Sequence, residues 1–347
     1  MTQARNIAII GAGMAGITCA RTLLQAGHRV TLFEKSAGVG GRMATRRSPF
    51  GGFDHGAQYF TVRDPRFALA LETAPGTCRP WSAVTVKVLD SLGRVVAAGL
   101  PAREPHYVPT PGMNALPKAW AQPLEANGHM HLQTRVTAIE TDALLANGWQ
   151  LRTEGAEGAS QVFGGFDAVV VALPGPQAQA LLETQSRAAA LARAAASSQV
   201  APCWTLMLAF PQAVQPGLTT IGPQWNAARS THHRIAWVTR ESSKPGRNVV
   251  ERWTAQASPE WSLEHLEDDA ARVTAKMIKG FSEVTGIRVD PGFAQVHRWR
   301  YAQTTRALGV SHLRDERLGL GVCGDWCLGH RVENAFVSGL ELALAMV

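Results

Sequence analysis

Gly11-Ala-Gly-Met-Ala-Gly16 sets three glycines at the spacing G-x-G-x-x-G, and an acid, Glu34, stands eighteen residues beyond Gly16. Residues of these types at this spacing can hold a dinucleotide. Gly11 permits the tight turn, Gly13 lets the backbone approach a pyrophosphate, and Gly16 lets helix and strand pack closely. A helix opening at the motif offers unpaired N–H groups and a positive dipole end to phosphate, which brings Ala12, Met14 and Ala15 into the grip. Glu34 can accept hydrogen bonds from a ribose diol and repels a 2′-phosphate. The glycines alone would be an ordinary turn, so the elements around them decide the reading. Asn6-Ile-Ala-Ile-Ile10 is an apolar, β-branched run suited to a strand buried on both faces. Ile17, Ala20 and Leu24 recur at helical spacing, Gly27 ends that helix, and His28 to Phe33 supplies a second strand with Glu34 at its end.

The chain continues Lys35-Ser-Ala-Gly-Val-Gly-Gly41-Arg42 and then Phe53-Asp-His-Gly-Ala-Gln58-Tyr-Phe60. In these residues the sequence resembles the flavin-containing amine oxidase superfamily, and within it the renalase-like branch, whose bacterial members carry GGRM and GAQYFT segments. The likeness resumes at Pro111-Gly-Met113, Val136 to Ile139, Asp167 to Pro174, His297-Arg-Trp299 and Val322-Cys-Gly-Asp325-Trp-Cys327. It covers nearly the whole chain and is thin between about Pro176 and Gln295.

The resemblance implies an α/β fold: a Rossmann-like FAD-binding domain of the glutathione-reductase and amine-oxidase type, with a discontinuous substrate domain of mixed sheet plus helices. The FAD-binding segments would be 1–75, 109–175 and 303–347, and the substrate segments 76–108 and 176–302. It implies FAD, held non-covalently because no cysteine lies between Cys203 and Cys323. Cofactor contacts would come from the glycine loop, Glu34, Lys35, Gly41, Arg42, Ala57, Gln58 and Val136. Gly324 and Asp325 would hold the ribityl chain, and Val332, Glu333 and Ala335 would open a helix aimed at the flavin. A guanidinium can reach two oxygens at once, which suits Arg42 to a phosphate or flavin contact. Arg46 and Arg47 read as surface charge. Gln58 would lie near the isoalloxazine, though a loop glutamine serves equally well to bond backbone. Trp299 and Tyr301, alternate residues of one strand, would share a pocket face or else pack an ordinary core.

The activity implied is oxidation of 2- and 6-dihydro-NAD(P) isomers to NAD(P)+, with dioxygen giving hydrogen peroxide. Gln58, Trp299, Tyr301 and Arg331 would serve the substrate, an anionic nicotinamide dinucleotide. A strict amine oxidase is the alternative, but Arg331 stands where those enzymes place an aromatic residue. Tyrosine occurs only at 59, 107 and 301, so an aromatic cage is hard to build. A flavin-binding sensor without turnover is a third possibility.

Composition narrows the rest. A chain of 347 residues can bury two sizeable cores. Its charge of +7 is scattered, with no basic run or zinc-finger spacing, so nucleic acid is not an expected partner. Five widely spread cysteines suggest no disulfide framework, and Cys323 and Cys327 are not C-x-x-C. His232-His233 looks like a metal pair, but adjacent side chains diverge on a strand and no third ligand is near, so no metal is expected. A first strand at residue 6 and short apolar runs argue for a cytoplasmic chain without membrane contact. Further expectations are a hairpin of 84–88 with 94–97, a short helix around Leu116 and Trp120, and a run of strands from His131 to Ala172 in which 148–152 and 161–163 form a small antiparallel meander separated by a turn at 154–158. An alanine-rich helix over 177–196, strands over 204–210, 235–239 and 248–255, and one long helix capped by Ser262 and running to Val284 complete the reading.

Overall fold

A computed structural model describes residues 3–81, 87–97, 104–155, 158–214, 223 and 225–347. Its first layer grows from the apolar run Asn6–Ile10, which lies parallel between Arg29–Phe33 and Ala168–Val171. The six strands run in the order Leu313–Asp315, Leu320–Val322, Ala168–Val171, Asn6–Ile10, Arg29–Phe33, Met130–His131, with only the first edge antiparallel. Strands buried on both faces need cover on both, and get it. Helices Met14–Gln25 and Val332–Met346 seal one face. The other face packs against Trp149, Leu151 and Phe166 of an antiparallel meander, Arg135–Thr141, Trp149–Glu154 and Ser160–Phe166.

A seven-stranded mixed sheet forms the second layer, ordered Phe293–Arg306, Gln199–Phe210, Glu251–Ala257, Ile235–Arg240, Ala227–Ser230, Lys87–Leu89, Val95–Ala97. Alternation along its strands makes its two faces unlike. Leu206, Leu208, Trp253 and Ala255 face Met277 and Phe281 of helix Ala270–Thr285 in a core of their own. Arg252, Thr254 and Gln256 point the other way and bond to Phe50, Glu241 and Gly56. The expected hairpin pairs Lys87–Leu89 with Val95–Ala97, while positions 84–86 lie outside the described residues, as do 156 and 157 of the expected turn.

Helix boundaries were the weaker part of the sequence reading. The single long helix is two, Pro259–Glu264 capped by Ser258 and Ala270–Thr285 capped by Asp269. Ser262 is inside the first and donates nothing to a cap: its hydroxyl accepts from the Trp204 N–H. The alanine-rich stretch also breaks, into Gly175–Leu182 and Ala189–Ala195. Thr184 Oγ1 bonds back to the Leu181 carbonyl and Gln185 Oε1 takes the Arg187 N–H, so side chains compete with the helical ladder there. The helix after Pro111 spans twelve residues, Ala115–Ala126.

Among the described residues no helix is long and apolar enough to cross a membrane, and no cluster of three His, Cys, Asp or Glu could hold a metal ion. His232 and His233 do not diverge as expected. They sit in a loop with ring centroids 4.4 Å apart, and His232 Nε2 bonds Glu283 at 2.9 Å.

Candidate active site

Gly11 has φ +106, and a Cβ there would lie 2.6 Å from the Ala172 carbonyl oxygen. A Cβ on Gly16 would overlap the Gly11 carbonyl oxygen. At Gly13, by contrast, a Cβ meets nothing within 4 Å. The backbone is therefore bare and open where a pyrophosphate must approach. Gly13 heads helix Met14–Gln25 with no side-chain cap and no acid in the first turn, leaving its positive end for a ligand. These residues fit a dinucleotide cofactor. Gly41, φ +53, brings the second glycine loop against the first, its Cβ direction 3.2 Å from the Gly13 Cα. Glu34 is buried, and its carboxylate accepts from Ala12 N at 2.9 Å and Ser36 N at 2.8 Å. A carboxylate has about four acceptor positions, so it can take ribose hydroxyls as well. Lys35 is exposed and Val136 half-buried beside the meander core.

Arg42 is not free for a phosphate. Its Nη1 and Nη2 make parallel bonds to Asp325 at 2.9 and 2.5 Å, and Nη1 also reaches the Ala302 carbonyl at 3.3 Å. Thr304 Oγ1 adds a third contact to Asp325 at 3.3 Å. The Ala302 carbonyl arrives there because the pairing of Phe293–Arg306 with Gln199–Phe210 slips between Cys203 and Ala201, and such bulges re-aim backbone. The same slip interrupts the alternation on which a shared face for Trp299 and Tyr301 rested. Trp299 donates its indole N–H to the His55 carbonyl at 2.9 Å, and Tyr301 lies half-buried on the bulged stretch.

The closing helix is tied in by Ser338, whose hydroxyl accepts the Gly324 N–H at 2.9 Å. Arg331 is its exposed N-terminal cap residue and makes no side-chain cap bond. Glu333 was expected at the flavin, but its carboxylate turns to the Arg63 and Asp64 N–H groups at 2.6 and 2.7 Å, anchoring helix Pro65–Glu72. Val332 and Ala335 pack against the first core, and Ala57 donates its N–H to the Arg42 carbonyl at 2.8 Å.

Three groupings are not legible in the sequence, although Gln58, His297 and Trp299 are among the residues it marks. Asp54 is fully buried, accepting from Thr45 Oγ1 (2.7 Å), Met113 N (2.8 Å), Lys244 Nζ (3.0 Å) and Arg247 Nη2 (2.7 Å). Burial alone would raise its pKa, but Lys244 and Arg247 more than reverse that and hold it well below the usual carboxylate range. Beside it Glu241 is pushed upward, burial outweighing the pull of Lys244. Gln58 belongs to this cluster: its amide donates to the Asp54 and Gly56 carbonyls and its oxygen accepts from Lys244 at 3.2 Å. Both amide protons are thus in use on backbone, which is the plainer of the two roles the sequence allowed.

The second group joins His55, His297 and Trp299, with rings 4.5 to 5.1 Å apart. Arg46, read as surface charge, lies against it, with Nη2 3.3 Å from His297 Nδ1. Burial drives His55 down to about 3 and His297 to about 4. The third group is aromatic. Tyr59 is packed against His106 at 4.0 Å, Trp237 at 5.9 Å and Trp81 at 6.2 Å. Tyrosine counting missed it because tryptophan and histidine supply the walls.

Residues 98–347 match the family model for flavin containing amine oxidoreductase. The chain belongs to that family. Residues 9–71 match an NAD(P)-binding Rossmann-like domain, the segment holding the glycine loop and Glu34. The fold of the whole chain is similar to that of a putative protoporphyrinogen oxidase from Exiguobacterium sp. 255-15, with TM-score 0.73, 14% identity and 99% of each chain covered. It is equally similar to putrescine oxidase bound to putrescine, with TM-score 0.72, 12% identity and 99% of each chain covered. Among curated sequences it is similar to a putative L-amino-acid oxidase, YobN, of Bacillus subtilis (strain 168), 52% identical over 46 residues, which is 13% of this chain and 10% of that protein. An L-amino-acid oxidase of Siganus canaliculatus is 44% identical over 48 residues, 14% of this chain and 9% of that protein. The matched stretches thus span about a tenth of these relatives' length. Family membership makes the chain a flavin-type oxidoreductase, and its own residues must supply the specificity.

Proposed function

We propose that this member of the family is a FAD-dependent oxidase of the renalase type, acting on 2- and 6-dihydro-NAD(P) isomers with non-covalent FAD. Bound FAD would supply the hydride acceptor and, through dioxygen, the return of electrons as hydrogen peroxide. The chain's part is to bind, orient and hold charge. Gly11 to Gly16, Glu34 and the Arg42–Asp325 pair would hold the cofactor, with the open end of helix Val332–Met346 offering its dipole to negative charge. The dihydropyridine ring needs no side-chain base to lose a hydride, because it becomes aromatic.

The observation that carries the substrate class is Arg331, an exposed cation capping the closing helix. Arg63 lies close by, paired with Glu104 at 2.6 Å, and both arginines lower the pKa of that glutamate. A cationic mouth favours an anionic dinucleotide over an amine. Amine oxidation stays as the second reading, because the family and the gathered rings of Tyr59, His106, Trp81 and Trp237 are compatible with it. Mixing anaerobic protein with dihydro-NAD isomers and with simple amines decides between them: bleaching of the flavin by amines alone overturns the first reading. Arg331→Tyr is expected to weaken capture of the isomers by ~1–3 kcal/mol, less as salt rises. Wild-type reduction rates at every salt concentration would put Arg331 outside the site.

Glu34→Ala is expected to weaken FAD binding by ~1.5–3 kcal/mol, roughly ten- to a hundredfold, because a charged acceptor is lost. Flavin reduction at saturating FAD is expected to stay near wild type, since Glu34 lies at the nucleotide end. A large fall in that rate would show Glu34 to be misplaced in this scheme.

A further inference from the structure

The hairpin Thr45–Ser48 with Gly51–Asp54 connects two stretches that meet at its base. Gly41–Met43 precedes it, and Gly56 to Gln58 follow it, folded so closely on Arg42 that Ala57 donates to the Arg42 carbonyl and Gly56 has no room for a side chain. Arg42 in turn grips Asp325. Whatever fixes this hairpin therefore fixes both flanking cofactor segments. The large sheet does so at two points, both from residues 244–252. At the tip, Arg252 Nη1 bonds the Phe50 and Gly52 carbonyls at 3.2 Å, leaving space only for glycine at 51. At the base, Lys244 and Arg247 hold Asp54.

Lys244 has no exposed side-chain surface, and its three protons serve Asp54, Gln58 and Glu241 at 3.0 to 3.2 Å. The cluster sets the carboxylates Asp54 and Glu241 against Lys244, Arg247 and Arg252, all buried. Removing one member leaves a buried charge without its partner, so these contacts depend on one another. Lys244 also fixes the carboxamide of Gln58, whose oxygen faces the ammonium while its nitrogen faces carbonyls.

We propose that Lys244, through Asp54 and Gln58, is a positioning residue that makes the cofactor loops and the large sheet order as one unit, so that FAD binding is transmitted to residues 244–252. This rests on the FAD reading above. Hydrogen exchange of the wild-type chain, with and without FAD, tests it without any substitution. Slower exchange on FAD addition is expected at 244–252 as well as at 41–58. Protection confined to the glycine loop, 41–58 and 324–335 overturns the proposal while leaving FAD binding intact. Failure to bind FAD at all overturns both. In Lys244→Met, titration of the apo-protein with FAD is expected to show at least tenfold weaker binding and no protection at 244–252, and Lys244→Arg is expected to recover most of both. A lower melting temperature with wild-type FAD affinity would mean that Lys244 only supports the fold.

Discussion

Replacing Arg42 with methionine is expected to destabilise the protein by ~3–5 kcal/mol, the range for removing one partner of a buried ion pair. Asp325 is the member that makes the change severe. Its side chain is 6% exposed, and two of its contacts come from the Arg42 fork at 2.9 and 2.5 Å. Without the fork, Thr304 at 3.3 Å is the side-chain partner that remains to it among the described residues. Arg42 itself is 28% exposed, so water softens the loss on its side but reaches Asp325 far less. The Ala302 carbonyl also loses its donor. Urea unfolding of wild type, Arg42→Met, Asp325→Leu and the double variant measures the pair. The double variant is expected to be clearly more stable than the sum of the single losses predicts, because it leaves no orphaned charge. A single-variant cost below ~1 kcal/mol, as for a surface pair, would show that the contact is solvent-screened.

That pair also shows where sequence reading stops. The glycine loop, Glu34 and the closing helix Val332–Met346 were legible because each is a local pattern: spacing, periodicity and a strand end. Arg42 and Asp325 are each legible as candidate cofactor residues, but their pairing with each other is not. They are 283 positions apart, and no period or spacing joins them. Asp54 passes unmarked for the same reason, since its partners Lys244 and Arg247 come from the connection between strands Ile235–Arg240 and Glu251–Ala257, almost two hundred positions on. Nothing beside Arg46 in the sequence marks it as more than surface charge, and the return of strand Phe293–Arg306 brings His297 to it. The two broken helices failed differently. Their apolar periodicity is genuine, but Asp269 and Gln185 bond backbone N–H groups locally and outcompete a continuous ladder.

Acid is expected to weaken the fold through His55 well before its carboxylates titrate. Burial, with His297 and Arg46 adding to it, takes His55 from 6.5 to about 3, although the Asp54 charge opposes the shift. The folded chain therefore holds a neutral imidazole, while the unfolded chain takes up a proton below about 6.5. Stability from this group is complete above 6.5 and is lost as pH falls from there towards 3, where the folded imidazole also protonates. At pH 5 the loss is ~2 kcal/mol, from 1.36 kcal/mol per unit over about one and a half units. His297, shifted to about 4, acts in the same direction but is more exposed and counts for less. Glu241 acts oppositely: its raised pKa favours the folded state as pH falls towards 4.5. Asp54, held low, begins to cost stability only below 3.8. His55→Phe isolates the imidazole from these others, since it keeps a ring against Trp299 and removes the titration. Denaturant unfolding of both proteins at about pH 7, 6 and 5 is expected to show the wild type losing ~2 kcal/mol more than the variant over that range. Parallel slopes for the two proteins would mean that His55 already carries its proton in the fold or is reached by water, and that the acid sensitivity resides elsewhere.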